Sequence, residues 1–155
     1  MHNAPHEQVD LFREQRSRAL HYRDADPGEQ VRGLVTDIVY DEGIVTIVCH
    51  DDGATSMYTS HGGGIIGAGE HEHVADVTRR VLGLAQLLSE DMSLAADESV
   101  PEVGRVTFYL LAPNGLLSAT ADEFELDRRA HPMSPLFFAI QDVVAELGRV
   151  DPQLR

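Results

Sequence analysis

The chain has 155 residues, 43% of them hydrophobic and 25% charged, which fits one globular domain with a real core and does not fit a disordered polar tract. Its formal charge is −14, from 26 acidic against 12 basic residues, a field that repels phosphate backbones and argues against nucleic acid as a partner. No apolar run approaches the roughly 20 residues that cross a bilayer, Met1 to His6 lack the basic start and apolar stretch of a secretory signal, and the single Cys49 permits no internal disulfide, so a cytoplasmic protein without membrane contact is expected.

Residues 7–22 are predicted as a helix whose weak apolar stripe is Val9, Phe12, Arg16, Ala19 and Leu20. The basic group Arg13, Arg16, Arg18 and Arg23 is interleaved there with Glu7, Asp10 and Glu14, the pattern of a solvated helix face. Asp24 to Gly28 carries turn chemistry. Three strands are predicted next, Val31–Tyr40, Ile44–His50 and Ala54–Ser60, joined by short turns at Asp41-Glu42-Gly43 and Asp51-Asp52-Gly53 that favour an antiparallel meander.

A glycine-rich segment follows, then a helix over 71–90 with the stripe Val74, Val77, Val81, Leu84 and Leu88. An acidic loop, 91–104, leads to a strand at Arg105–Ala112, a hairpin turn at Pro113-Asn114-Gly115 and a returning strand from Leu116 to Ala121 or as far as Phe124. After an irregular loop, Ser134 is placed as N-cap, Pro135 in the first turn and Gly148 at C′ of a last helix. The expected fold is a single α+β domain over 1–155, with 1–6 and 149–155 as frayed ends. It has an antiparallel sheet of about five strands in the order α-βββ-α-ββ-α, with helices packed mainly on one face. A second sheet face left open calls for a covering helix or a second subunit, which admits a homodimer.

The segment His61-Gly62-Gly63-Gly64-Ile65-Ile66-Gly67-Ala68-Gly69-Glu70 holds five of the thirteen glycines. Glycine permits positive φ and close backbone approach, so this junction marks a backbone shape that side chains would spoil. Gly62, Gly64 and Gly67 match a dinucleotide fingerprint in spacing, but the preceding meander is not a parallel βαβ unit, and position 90 ends a helix where an acidic strand end is required. The chain has no lysine, which removes a Walker-type loop. Three readings stay open. The segment is a crossover packed on the sheet with Ile65 and Ile66 in the core, an anion cradle from the amides of Gly67, Ala68 and Gly69, or an exposed apolar tip at Ile65-Ile66 that meets a protein. Glu70 and Glu72 would repel an anion.

Glu70 and His73 have the Glu-x-x-His spacing that places two ligands on one helix face, and His61 lies upstream, so a divalent metal held by His61, Glu70 and His73, or His71 in place of His73, is the alternative to a protein without cofactor, with His50 or His131 in reserve. No catalytic set is predicted. Cys49 reads as a buried hydrophobe, His50 points to the opposite strand face, and no Gly-x-Ser-x-Gly elbow is present. His131 to Pro135 reads as a rigid entry to the last helix, with His131 a candidate to approach the glycine loop.

With the glycine segment, the strand Arg105 to Leu111 and the entry His131 to Phe137, the chain resembles a group of small bacterial proteins of unknown function that share a Gly-Gly-Gly-Ile-Ile-Gly-Ala-Gly-Glu-His core. The resemblance covers most of 8–148 and implies a soluble bacterial protein whose signature is the glycine segment. The element order is loosely similar to the profilin and roadblock class, by analogy alone. The expected function is a non-enzymatic protein-binding or adaptor module that uses residues 61–70. A small-ligand, anion or metal site at the same place is the alternative.

Overall fold

Strand β1 (Gly33–Tyr40) sits at the centre of the sheet, and the apolar residues on both of its faces are the reason. It pairs antiparallel with β2 (Gly43–His50) and with β6 (Arg105–Ala112). The structure, a computed structural model, describes residues 5–22 and 29–150. Outward from the centre lie β3 (Thr55–Thr59) and β4 (Gly64–Ile65) on one side, β7 (Gly115–Asp122) and β5 (Ser93–Leu94) on the other. The order is β4-β3-β2-β1-β6-β7-β5, a single antiparallel sheet. Tyr40 stands opposite Gly43 and Ala112 opposite Gly115, so both hairpins turn through two residues.

Among the described residues seven strands stand where about five were expected. The additional β4 and β5 are two-residue edge pieces, one inside the glycine segment and one inside the acidic loop. Neither is long enough to show an alternation of apolar and polar residues or a β-branched run, the signals by which longer strands are read in sequence.

One sheet face carries Leu34, Ile38, Ile47, Cys49, Phe108 and Leu110 and packs against α2 (Glu72–Leu87) and α4 (Ser134–Val150). Val74, Val81 and Ala85 of α2 and Leu136, Phe137, Ile140, Val143 and Leu147 of α4 close this core, while Val77, Leu84 and Leu88 are half-buried at its margin. The α4 entry differs from expectation by one residue. Phe137 N–H donates to the Met133 carbonyl, so Met133 occupies the cap, and its own N–H donates to His131 Nδ1 at 3.0 Å. Gly148 does not end the helix. It is buried within it, because Leu147 and Val150 on either side pack into the core and carry the helix on. A short helix, α3 (Glu123–Asp127), occupies residues expected to be strand end and loop, and Leu126 anchors it in the core.

The opposite face carries Val35, Val48, Tyr109 and Leu111 and packs against Ala19 and Leu20 of α1 (Pro5–Leu20). Residues 95–102 also lie over this face, with the Tyr109 hydroxyl donating to the Ser99 carbonyl. The surface from which a homodimer was expected is therefore covered in part by the chain itself. α1 starts at Pro5 and α4 reaches Val150, so positions 5, 6, 149 and 150 are helical. Residues 1–4 and 151–155, and the expected turn at 24–28, lie outside the described residues. Among the described residues no helix is long and apolar enough to cross a membrane.

Candidate functional site

The glycine segment runs antiparallel along β3, with Ile65 opposite Met57 and Gly64 opposite Tyr58. Gly64 has φ of +138°, and a Cβ there would overlap the Met57 carbonyl oxygen. Gly69 lies so close to the Gly53 carbonyl and the Ala54 Cα that a side chain would not fit. Glycine at these two positions thus lets the crossover lie flat on the sheet edge. β3 is antiparallel to both neighbours, so Gly62, Gly64 and Gly67 do not belong to a parallel βαβ unit.

Extended backbone sends successive side chains to opposite sides, and it splits Ile65 from Ile66. Ile65 is half-buried against the main core, whereas Ile66 is 69% exposed. The expectation that treats the two as one unit, either plug or tip, is corrected. Beyond them, Gly67 adopts a left-handed φ of 76° and opens a single 3-10 turn, Ala68–Glu70, in which Ala68 is buried. Glu70 N–H donates to the Gly67 carbonyl and His71 N–H to that of Ala68, so the turn is closed on itself before α2 begins.

Ile66 faces α1. Between the helix and the glycine segment lies an open groove of about 250 Å³ with Leu11, Phe12, Tyr58 and Ile66 as its apolar members. Gln8, Gln15, Thr59 and Gly62, Gly63 and Gly64 complete it, and the Gln8 amide lies over Gly62. Among the described residues no charged side chain lines it, in a chain whose formal charge is −14. Gln15, Tyr58 and Ile66 also line the next hollow along α1, where Ala19, Tyr22 and His50 form the far end.

The position of α1, and so the groove, depends on an ion pair. Arg16 Nη2 donates to Asp37 Oδ2 at 2.7 Å and Nε donates to the same carboxylate at 3.1 Å. Asp37 is fully buried in β1, and the Thr46 hydroxyl donates to its Oδ1 at 2.7 Å. Burial opposes the charge of Arg16, but hydrogen bonding to Asp37 and its negative charge outweigh that and raise the guanidinium pKa. Arg16 also lies over the Tyr109 ring, 5.6 Å from its centroid. Thr46, Asp37, Thr107 and Thr120 stand in one register row across four strands, and the last two share a hydroxyl hydrogen bond of 2.7 Å. At the other end of α1, the Tyr22 and His50 rings stack at 3.8 Å, and the Tyr22 hydroxyl donates to Asp51. Burial lowers the His50 pKa, with opposing contributions from the Ala19 carbonyl, Asp52 and Asp51.

The proposed metal ligands are not brought together. His61 lies against Gly43 at the β1–β2 turn, while Gly69 packs on Gly53 at the β2–β3 turn, which leaves Glu70 and His73 at the far end of β3 from His61. Among the described residues no group of three His, Cys, Asp or Glu side chains is gathered in a metal-holding arrangement. The His131 ring accepts the Met133 N–H and serves the α4 entry. Cys49 is buried, and burial pushes its thiol up to about 12, so it is not poised as a thiolate.

Sequence reasoning missed the Arg16–Asp37 pair. Its signal was present, since Arg16 falls within the apolar stripe of its helix and Asp37 interrupts a β-branched run. A cation on a buried face and an anion in a buried strand each require a partner. Compared with family models, with characterised proteins and with solved structures, the chain matches none.

Proposed function

We propose that the protein is a non-enzymatic protein-binding or adaptor module that receives an apolar side chain of its partner in the groove between α1 and the 61–70 segment. The observation that carries this reading is the uncharged groove itself, flanked by exposed Leu11 and Ile66, on a strongly acidic chain. Exposed apolar groups rimmed by polar ones are what binding surfaces present. Full burial of a side chain the size of Leu11 or Ile66 is worth about 1.5–3 kcal/mol, enough for each to act as an anchor. The walls are preformed. Gly64 and Gly69 hold one of them against the sheet and the Arg16–Asp37 pair holds the other, so little ordering entropy opposes binding.

The variants Leu11→Asp and Ile66→Asp test this reading, because both side chains point to solvent, whereas Ile65→Asp would damage the core. Recovery of partners from a lysate of the source cells should fall for both variants while their thermal unfolding matches wild type. Unchanged recovery from folded variants contradicts the proposal. Sedimentation of the same proteins reads whether the occupant is a second copy of the chain.

A further inference from the structure

A second apolar surface lies at the end of the sheet where β1 stops and β6 begins. Gly104 N–H donates to the Val39 carbonyl at 2.9 Å, and Glu123 N–H donates to the Gly104 carbonyl at 3.0 Å. These two bonds draw three chain segments together. One residue from them, Tyr40, Val103 and Phe124 leave the backbone, exposed by 40%, 58% and 71%. Tyr40 and Glu123 are close enough for the carboxylate to act on the phenol, whose pKa is raised first by burial and then by that charge. Isolated exposed apolar residues are ordinary; three large ones at one strand end are not.

Their surroundings define the partner. Asp41 and Glu42 follow Tyr40, Glu102 precedes Val103 and Glu123 precedes Phe124, and three of these four are exposed while Glu123 is half-buried. Two cations stand beside them, and one of the two is paired. Arg105 Nε is 3.1 Å from Asp122, and the Arg128 guanidinium lies 5.1 Å from the Phe124 ring centroid. We infer that this strand end is a docking surface for a basic polypeptide segment that brings apolar side chains onto Tyr40, Val103 and Phe124 and cations onto the surrounding carboxylates. Such complementarity accelerates encounter and selects against acidic partners, while the apolar centre supplies the residence time. The inference does not rest on the groove: the two surfaces share no residue, and they differ in charge.

The probe is a short peptide alternating arginine and leucine, titrated into the ¹⁵N-labelled full chain. A peptide of the same length alternating arginine and glycine is the control. Shifts should concentrate at positions 40, 103 and 124. Affinity should fall about tenfold or more in Phe124→Ser and in Val103→Ser, and comparably when glycine replaces leucine in the peptide. Ile66→Ser should bind the peptide as wild type does. Shifts scattered over the acidic surface, equal binding of the glycine control, or wild-type affinity in either serine variant overturns the inference. Loss of binding in Ile66→Ser alone places the peptide in the groove, which also overturns it and leaves the groove reading intact.

Discussion

The two faces of this sheet are sealed by different means. Against α2 and α4 the contact is mainly apolar, from Leu34 and Phe108 through Val81 to Phe137 and Ile140, with the buried Thr55–Thr78 hydroxyl pair as a polar inclusion. Against α1 the apolar contribution is small, with Ala19 and Leu20 on Val35, Val48, Tyr109 and Leu111, and a buried ion pair completes it. The first arrangement gains from every methylene removed from water. The second gains little net free energy, because two charges must be desolvated before they can attract one another. What it provides is position, since a bidentate Arg16 on a carboxylate fixed by Thr46 sets where α1 lies along the sheet. The uncharged groove opens on the α1 side, where packing is incomplete, while the opposite face is consumed by the core.

The largest effects should separate these two kinds of seal. Phe137→Ala is expected to cost about 3–5 kcal/mol through a core cavity, read as a shift in the urea midpoint at unchanged slope. Arg16→Ala should cost about 3–5 kcal/mol as well, although it removes no core volume, because Asp37 is left buried without its cation. The sharper experiment is the double replacement Arg16→Leu with Asp37→Leu, expected to recover most of that loss, short of wild type only by the cost of leaving the buried Thr46 hydroxyl without its acceptor. A double variant as unstable as Arg16→Ala would show that the α1 face depends on more than the pair. Gly69→Ala comes next, at about 1–3 kcal/mol, because its Cβ meets the Gly53 and Ala54 backbone and one of them must shift.

The pH response should also belong to the α1 face. Burial lowers the folded pKa of His50 below its ordinary 6.5. Its contribution is therefore complete above that value and is lost as pH falls from 6.5 through the folded pKa, where the unfolded chain takes up the proton more readily. His50→Phe keeps an aromatic ring on Tyr22 and should flatten that part of the stability profile, measured as melting temperature against pH. A profile identical to wild type in that interval would remove His50 from the account. The smallest effects are expected at the groove lip, where Leu11→Ser and Ile66→Ser should change stability by no more than about 0.5 kcal/mol.

Much of the fold was legible in the sequence because long elements repeat their signal. Arg105–Ala112 and the Pro113–Asn114 turn are where periodicity and turn chemistry place them, and the α2 stripe sets the helix's core face, although the helix expected to run to 90 ends at Leu87 and leaves Leu88 as its cap. β4 and β5 were not legible, since two residues cannot alternate visibly. The glycine segment was recognisable as special, but not as extended. That one fact decides that Ile65 and Ile66 part company and that His61 ends far from Glu70. Whether a glycine run turns or extends depends on what it packs against, here Met57, Gly53 and Ala54, and those contacts are non-local. Arg16 and Asp37 are a different case, because each was anomalous in its own element and only their pairing required the fold.

The claim that the α1 side is the binding side is tested most directly by placing a photo-reactive benzophenone side chain at position 66 and, in a second protein, at position 87. Leu87 is equally solvent-facing but projects from α2, on the opposite side of the sheet. Irradiation in the source cells should give covalent adducts from position 66 and none from position 87. Adducts from position 87 with none from position 66 would contradict the account.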